Sequence, residues 1–441
     1  MMRAWVVAAV AGVLGWGLGC GDAQQSPPPT QPDAPEAPAV SEPTSQLPDE
    51  SAPSSSPATT PLPPPEPEPS ACEDLLPKPV LPRSLDILTG FTAQCEPLAP
   101  AMDGAGNLAY SAGYVAYWNS RWHVQAPNGG PHYVDRFRSY PMPRLLPQAQ
   151  GFQTINVICT GGAWVEFTAY DGTGKLLTAV DLGSYSGCSA HMEEVDGAAD
   201  PAGGTVVAWM PTASGGRSDP HRQVKVQRFD GSGKVRFEAV TVAGWLEEPV
   251  ARHAIVVGTD VRGRTLVLWN GDALFGAGSI AGQWLDAQGV ALTPIFQAQV
   301  PSLRGPRYLG AVLSPLIGGG LALQADGKWT HTFASGSSEA QAAPDWLAQR
   351  SGRLEIVRGG RAYALMPPNP GAFVCSQQVE VLAPDGSSCG KLTFETPDGA
   401  CARSPLSLGP DGTILQQQLL AHPDPEGRDG CTQKWWPQIL R

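Results

Sequence analysis

The chain has 441 residues, of which 42% are hydrophobic and 16% charged, and its formal net charge is −12 at pH 7. This length is enough for one large domain or several smaller ones. The acidic balance, with no run of Lys or Arg, argues against a nucleic-acid partner and against electrostatic docking on anionic lipid.

The chain begins with a leader. A basic start, Met1-Met2-Arg3, precedes an apolar run over residues 4–19, and Cys20 follows directly. This order, closed by small residues and a thiol, is that of an exported protein that is acylated after cleavage. The run is shorter than the ~20 residues that a membrane-spanning helix needs, so we do not expect a transmembrane anchor.

The residues around the thiol, Gly17-Leu18-Gly19-Cys20-Gly21-Asp22, resemble the lipobox of bacterial lipoproteins. The resemblance implies that residues 1–20 form the signal peptide and lipobox and that Cys20 carries the lipid. It also implies an exported protein anchored in the outer membrane. The alternative is an ordinary secretory signal cut near Ala23, which would leave the protein soluble in the periplasm or outside the cell.

Residues 21–71 predict a disordered, acidic, Pro-rich linker. Sixteen of these residues are Pro, eight are Asp or Glu, and none is Lys or Arg. Proline removes backbone donors, and the low apolar content cannot offset the entropy of ordering the chain. An extended stalk of this composition would reach roughly 160 Å and would hold the domain that starts at residue 72 away from a membrane.

The cysteine count supports the lipobox independently. Nine cysteines are an odd number for an exported chain, but eight remain if Cys20 is acylated. An even number in an oxidising compartment predicts four disulfides, and we expect sequence neighbours to pair as 72–95, 159–188, 375–389 and 401–431. No zinc site is predicted, because there is no Cys-x-x-Cys pair and the His residues are scattered. The disulfide candidates are Cys72, Cys95, Cys159, Cys188, Cys375, Cys389, Cys401 and Cys431.

Residues 72–441 show an all-β pattern with internal repeats. Apolar residues alternate, and Asp-Gly turns separate short strands. Residues 200–209 (DPAGGTVVAW) and 260–269 (DVRGRTLVLW) both fit the pattern D-x-x-G-x-T-x-V-x-W, with weaker copies at Asp103 and Asp411. A turn that feeds a strand with Thr, Val and Trp on one face is thus used repeatedly.

The repeats resemble the blades of a β-propeller, which implies one ring-shaped domain over residues 72–441. Seven predicted inner-strand starts give seven blades, with six as the alternative. The last unit lacks a strand that residues 84–91 could supply. The inner-strand starts lie near residues 103, 153, 200, 260, 316, 356 and 411, and hairpins are predicted around Asn128, Asp171, Asp230, Asp286 and Asp385.

No catalytic, metal or cofactor motif stands out. The Asp-Gly turns supply too few alternating oxygens for a calcium loop, so we interpret them as hairpin turns. Gly276–Ala281 matches G-x-G-x-x-A only by letter, because no helix is predicted after it. The neighbouring carboxylates Glu193-Glu194 and Glu247-Glu248 are interpreted as exposed loop charges. No catalytic residue, metal ligand or cofactor is therefore assigned.

Aromatic residues are the remaining candidates for a site. Trp209 and Trp269 occupy equivalent repeat positions and are predicted to fill the core. Trp436 is a candidate ligand contact, because two adjacent Trp in a strand cannot both face the core, and packing at the ring closure is its alternative role. Tyr133, Tyr140, Trp245 and Tyr308 fall in predicted loops that the sequence does not assign to one rim.

These observations favour a non-enzymatic binding or scaffold module that is anchored to the cell envelope. Its partner would be a protein or a glycan at the cell surface, and the chain itself is expected to be a monomer. The alternative is a secreted hydrolase or lyase with acid and base residues gathered in the channel, since loops from distant blades converge there. A purely structural envelope component is a third possibility.

Overall fold

The computed structural model divides into two compact units, residues 1–66 and residues 67–441. All described residues lie in the second unit. The leader, Cys20 and the predicted linker fall outside them. The structure describes residues 72, 75, 80–88, 100–111, 122–127, 131–134, 144–159, 163–185, 194–211, 221–247, 254–303, 310–368, 374–396, 401, 406–419 and 430–441.

The described strands form seven antiparallel four-stranded sheets. The prediction of seven blades is therefore confirmed, and the alternative of six is wrong. Each blade takes its strands in chain order except the last. Blade 1 holds β2 (Ala101–Met102), β3 (Leu108–Ser111), β4 (Trp122–Gln125) and β5 (Pro131–Val134); blade 2 holds β6 (Arg144–Pro147), β7 (Phe152–Cys159), β8 (Ala163–Tyr170) and β9 (Leu176–Tyr185); blade 3 holds β10 (Val195–Ala199), β11 (Thr205–Trp209), β12 (His221–Phe229) and β13 (Val235–Glu247).

The later blades follow the same plan, with two four-residue helices between strands. Blade 4 holds β14 (Ile255–Thr259), β15 (Thr265–Asn270), α1 (Asp272–Phe275), β16 (Ile280–Leu285) and β17 (Phe296–Ala298); blade 5 holds β18 (Val312–Pro315), β19 (Leu321–Ala325), β20 (Lys328–Phe333) and β21 (Ala340–Ala342), followed by α2 (Asp345–Ala348); blade 6 holds β22 (Arg353–Val357), a 3₁₀ turn (Arg358–Gly360), β23 (Ala362–Met366), β24 (Ser376–Leu382) and β25 (Ser388–Glu395); blade 7 holds β26 (Ser407–Leu408), β27 (Ile414–Leu419), β28 (Gly430–Trp436) and β1 (Arg83–Leu88).

The ring is closed by a strand from the other end of the domain. Strand β1 pairs antiparallel with β28, from Arg83 opposite Trp435 to Leu88 opposite Gly430. The prediction that residues 84–91 complete the last blade is thus confirmed over residues 84–88, and residues 89–91 lie outside the described residues. Without β1, strand β28 would expose a row of unpaired backbone groups, which is the usual weak point of an open sheet.

The antiparallel order gives the ring two different faces. The first strands of successive blades pack against one another, as β10, β14 and β18 do, and therefore surround the axis. The connections between first and second strands and between third and fourth strands leave on one face, which we call the turn face. The other connections leave on the opposite face, which we call the loop face.

The sequence repeats correspond to these hairpins, with one correction. The predicted hairpins around Asp171, Asp230, Asp286 and Asp385 join the third and fourth strands of their blades, while Asn128 lies outside the described residues. The T-x-V-x-W segments, however, are second strands (β11 and β15) and not the inner strands that were predicted. The innermost strand precedes each Asp, and in blade 3 its sequence, Val-Asp-Gly-Ala-Ala, has little β propensity.

The hydrophobic core is divided among the spaces between successive blades. Trp209 packs with Phe167 of blade 2, while Trp269 packs with Val206 and Val226 of blade 3. Both Trp side chains are almost fully buried, which confirms that they fill the core. Each strand residue faces either the preceding or the following blade, so a single blade cannot bury its own apolar surface.

The disulfides join residues that are distant in sequence. Cys72 is bonded to Cys389, and Cys375 to Cys401; Cys431 is also disulfide-bonded. The predicted pairs 72–95, 375–389 and 401–431 are therefore wrong. The segment at Cys72 and Leu75 packs against blade 6 before the chain enters β1, so the nearest thiol in space lies in β25.

Disulfides form and persist in oxidising compartments, so these bonds indicate an exported protein. Within the described ranges, no helix is long and apolar enough to cross a bilayer.

Candidate functional site

The outer hairpins of the turn face are closed by aspartates. Asp230 Oδ1 accepts hydrogen bonds from Ser232 N (2.9 Å), Ser232 Oγ (2.7 Å) and Lys234 N (3.0 Å). Burial alone would raise the pKa of Asp230, but these bonds hold it below the ordinary value. The same carboxylate-to-backbone pattern recurs at Asp171, Asp286 and Asp385. These aspartates thus act as turn residues, as the sequence indicated.

In the inner hairpins of the turn face, which join the first and second strands, an aspartate also bonds the next blade. Asp103 Oδ1 accepts from Asn107 N within its own turn (2.8 Å), while Oδ2 accepts from Gly151 N of blade 2 (2.6 Å). Asp260 similarly accepts from its own turn and from Gly320 N of blade 5 (3.3 Å). One carboxylate therefore closes a hairpin and fastens it to the next blade.

Blades 2 and 3 are joined in the same way by an amide. Gln148 Oε1 accepts from Gly204 N at 2.8 Å. Gly204 has φ +110°, and an added Cβ would lie 2.1 Å from the carbonyl oxygen of Phe229. Only glycine fits this junction, because both the backbone conformation and the close approach exclude a side chain.

Blades 3 and 4 are joined through Arg228, which a buried ion pair holds in place within blade 3. Arg228 Nε donates to Asp200 Oδ2 at 2.7 Å, and Arg228 Nη1 donates to the carbonyl of Gly263 in blade 4 at 2.7 Å. Both side chains are at most 2% exposed, and Arg236 adds a third contact to Asp200 at 3.2 Å. Blades 1 to 5 are therefore linked in sequence across the turn face, which leaves this part of it little freedom to rearrange.

A second buried ion pair lies near the loop face of blade 3. Arg222 Nη2 donates to Glu194 Oε1 at 3.4 Å, and both side chains are at most 3% exposed. The interpretation of Glu194 as an exposed loop charge is therefore wrong. The pair connects the start of the first strand with the start of the third, so it fixes the loop end of the blade.

Two carboxylates lie on strands that surround the axis. Asp196 of β10 is buried and accepts from Val257 N of β14 at 2.8 Å. Glu355 of β22 is partly exposed; burial raises its pKa, and Arg353 acts in the opposite direction. The two belong to blades 3 and 6. In the part of the chain that the structure describes, no three His, Cys, Asp or Glu residues are placed to hold a metal.

A glutamine cluster lies between blades 6 and 7. Gln418 Nε2 donates to Gln416 Oε1 at 2.5 Å, and Gln416 Nε2 donates to Gln377 Oε1 at 2.8 Å. On the opposite face of β27, which packs against blade 1, Gln433 Nε2 donates to Gln417 Oε1 at 2.9 Å. All five side chains are nearly buried, so uncharged polar groups share these two interfaces with apolar side chains. Sequence reasoning missed the cluster, although Gln416-Gln417-Gln418 inside a strand was its visible signal.

Exposed large apolar side chains mark the outer loop end of blades 3 and 4. Trp245 is 51% exposed near the end of β13, and Leu274 and Phe275 of α1 are each 39% exposed. Strand β13 and α1 contact one another. Register places Glu247 opposite His221, at the loop end of β12, so Trp245 also lies at that end. We call these three residues the apolar corner.

The other aromatic candidates have different positions. Trp436 is 9% exposed and meets Phe394 of blade 6 edge-to-face, with ring centroids 4.5 Å apart. This is the ring-closure packing, and it leaves Trp436 without the exposed ring that a ligand contact needs. Tyr133 lies in β5, while Tyr140 and Tyr308 lie outside the described residues. Of the cysteines, Cys95 and Cys188 also lie outside them.

No protein-family model matches the chain, and no curated protein matches it. A puromycin hydrolase structure is 16% identical with a TM-score of 0.39, over 78% of this chain and 52% of that one, so the chain spans about half of it. Prolyl oligopeptidase B from Galerina marginata is 8% identical (TM-score 0.42; 73% and 46% covered). Virginiamycin B lyase from Staphylococcus aureus is 10% identical (TM-score 0.33; 81% and 99% covered). These likenesses are too distant to bear on activity.

Proposed function

We propose that this protein is a binding module held at the cell envelope by a lipid on Cys20 and a Pro-rich stalk. Its working surface is the loop face, which takes a protein or a glycan partner. Export from the cytoplasm agrees with the disulfides, and the Pro-rich stalk would hold the domain away from the membrane.

The contrast between the two faces supports the loop face as the binding surface. Side chains of Asp103, Gln148, Arg228 and Asp260 bond the backbone of the next blade and fasten the turn face from blade 1 to blade 5. Five of the seven connections between second and third strands, all on the other face, span nine to eleven residues, and binding residues are commonly carried by loops on a rigid scaffold. The scaffold thus separates the surface that stabilises the ring from the surface that is free to specialise.

The exposed ring of Trp245 is the observation that carries the proposal. A half-exposed Trp beside the exposed Leu274 and Phe275 is costly to leave in water, and Trp is enriched at the centres of binding interfaces.

Replacing Trp245 with Ala should weaken partner binding about tenfold or more, as loss of an aromatic anchor does. The chain from residue 21, with Cys20 omitted for solubility, is applied to a glycan array and to a pull-down of surface proteins. Val290→Ala is the matched control, because Val290 is 61% exposed on the turn face of blade 4. Equal binding by both variants would contradict the choice of surface. Turnover of an ester, peptide or polysaccharide by the same preparation would instead favour the hydrolase or lyase.

A further inference from the structure

Three arginines gather on the turn face where blades 6 and 7 meet. Arg358 and Arg361 belong to the turn between β22 and β23, and Arg441 follows β28. Arg358 N donates to the carbonyl of Leu440 at 3.2 Å, and Leu440 N donates to Gly412 of blade 7 at 2.9 Å. The segment after β28 therefore crosses the turn face and brings Arg441 to the turn that carries the other two.

The side chains hold this arrangement together. Arg358 Nη2 donates to the carbonyl of Ile439 at 3.4 Å, and its Nη1 donates to the oxygen of Arg441. Arg361 Nε donates to the carbonyl of Arg358 at 3.3 Å. Ile439 and Arg358 accept through main-chain carbonyls, and Arg441 Nη1 donates to the side-chain oxygen of Gln438 at 3.3 Å. In the described part of the chain, no side-chain carboxylate pairs with any of the three guanidiniums.

The backbone of this turn is unusual. Arg358 has φ +58°, a left-handed conformation that is unfavourable for any residue except glycine, Asn or Asp. Gly359 and Gly360 follow with φ +63° and +89°, and both are exposed. Strained non-glycine residues of this kind persist where the surroundings enforce them, and they cluster at sites that hold ligands.

The charge at this place is unbalanced. Burial and the nearby Arg361 both lower the pKa of Arg358, so the positive charges repel one another. Arg358 Nε is buried and has no hydrogen-bond partner. On the neighbouring turn, Asp411 uses Oδ1 for Thr413 N and Oδ2 for Thr413 Oγ1. Two like charges thus lie side by side on this turn, together with one buried N–H donor that has no partner.

We propose that Arg358, Arg361 and Arg441 form a binding site for an oxyanion of the phosphate or sulfate type. Guanidinium groups match such anions through paired N–H donors, and the anion would relieve the repulsion among the arginines. The exposed N–H groups of the Gly359-Gly360 turn could supply further donors. This site lies on the opposite face from the apolar corner, so it is independent of the proposed binding function.

The test uses the chain from residue 21 and three probes: inorganic phosphate, sulfate and glucose 6-phosphate. Binding is measured by calorimetry and by NMR shifts, against chloride at equal ionic strength, because phosphate and sulfate stabilise most folded proteins without binding. Arg361→Ala should weaken binding about tenfold or more, since one charge-assisted contact is lost. Arg361→Lys keeps the charge but loses the paired donors, so its affinity for the probes should lie between that of the wild-type chain and that of Arg361→Ala.

Arg83→Ala is the control, because Arg83 is exposed on β1 and its loss changes the net charge equally. It should bind the probes like the wild-type chain. The proposal is overturned if no probe binds more tightly than chloride, or if Arg361→Ala and Arg83→Ala weaken binding alike. If Arg361→Ala does not fold, Arg441→Ala decides by the same criteria. Binding of glucose 6-phosphate in preference to free phosphate would identify a phosphorylated sugar as the ligand class, and the reverse would identify the free anion.

Discussion

Replacement of Asp200 by Asn is expected to lower the free energy of unfolding by about 3–5 kcal/mol, as loss of one partner from a buried ion pair does. Asn keeps the shape of the side chain but removes the charge. The guanidinium of Arg228, which is buried between blades 3 and 4, would then have no counter-ion. Urea denaturation of the two proteins under identical conditions measures the loss.

Asp230→Asn is the matched control for this prediction. Asp230 closes the turn between the third and fourth strands of the same blade, and its carboxylate oxygen Oδ1 accepts from Ser232 and Lys234 of that turn. Asn also favours such turns, so a loss of about 1 kcal/mol or less is expected. Equal losses in the two variants would show that the Asp200–Arg228 ion pair does not hold Arg228 in the position from which it bonds blade 4.

The two disulfides should differ in their effects on stability. Cys72 and Cys389 are 317 residues apart, whereas Cys375 and Cys401 are 26 apart. In the chain-entropy model, removing the longer link costs about 4–6 kcal/mol, roughly 2 kcal/mol more than removing the shorter one. The comparison is made between the double variants Cys72→Ser/Cys389→Ser and Cys375→Ser/Cys401→Ser, by urea denaturation without reductant.

The longer link also joins the start of the domain to blade 6, directly before the chain enters β1. Its removal should therefore release the segment that leads to the closing strand. A double variant at residues 72 and 389 that is as stable as the variant at residues 375 and 401 would contradict this account, because the long-range link would then contribute nothing to closure.

The fold could be predicted from the sequence because its repeats are local. Asp-x-x-Gly followed by Thr-x-Val-x-Trp specifies a turn and the alternation of the next strand within ten residues, and both copies became turn-plus-strand units. The second strand of each blade was predicted to be the innermost, whereas the first strand lies there. A strand such as Val195–Ala199 is held by neighbours on both sides, so its own residues need little β propensity.

Contacts between blades could not be predicted, because they depend on the spacing of the ring and not on sequence separation. Asp103 meets Gly151, and Cys72 meets Cys389, only after successive blades are placed side by side. Asp103 and Asp171 stand in similar turn sequences, yet only Asp103 reaches another blade. The difference comes from the position of the hairpin, near the axis or at the rim.

Which tryptophan side chains are exposed could also be predicted only in part from the sequence. Trp209, Trp245, Trp269 and Trp436 are one residue type, and the sequence separated the core positions of Trp209 and Trp269 through their repeats. Trp436 was predicted as the ligand contact in preference to Trp245, because two adjacent Trp are hard to bury in one strand. The ring closure solves that problem, since Trp435 and Trp436 pack toward different blades.

Native-state hydrogen exchange of β1 tests the closed ring most directly. Amides of a strand that completes the ring open only with the whole domain, so the β1 amides that bond to β28 should exchange with the same opening free energy as their partners in β28. Fast exchange of β1 beside slow exchange of β28 would show that the last blade has an open edge. That result would contradict the seven-bladed ring on which the two faces and both proposed sites depend.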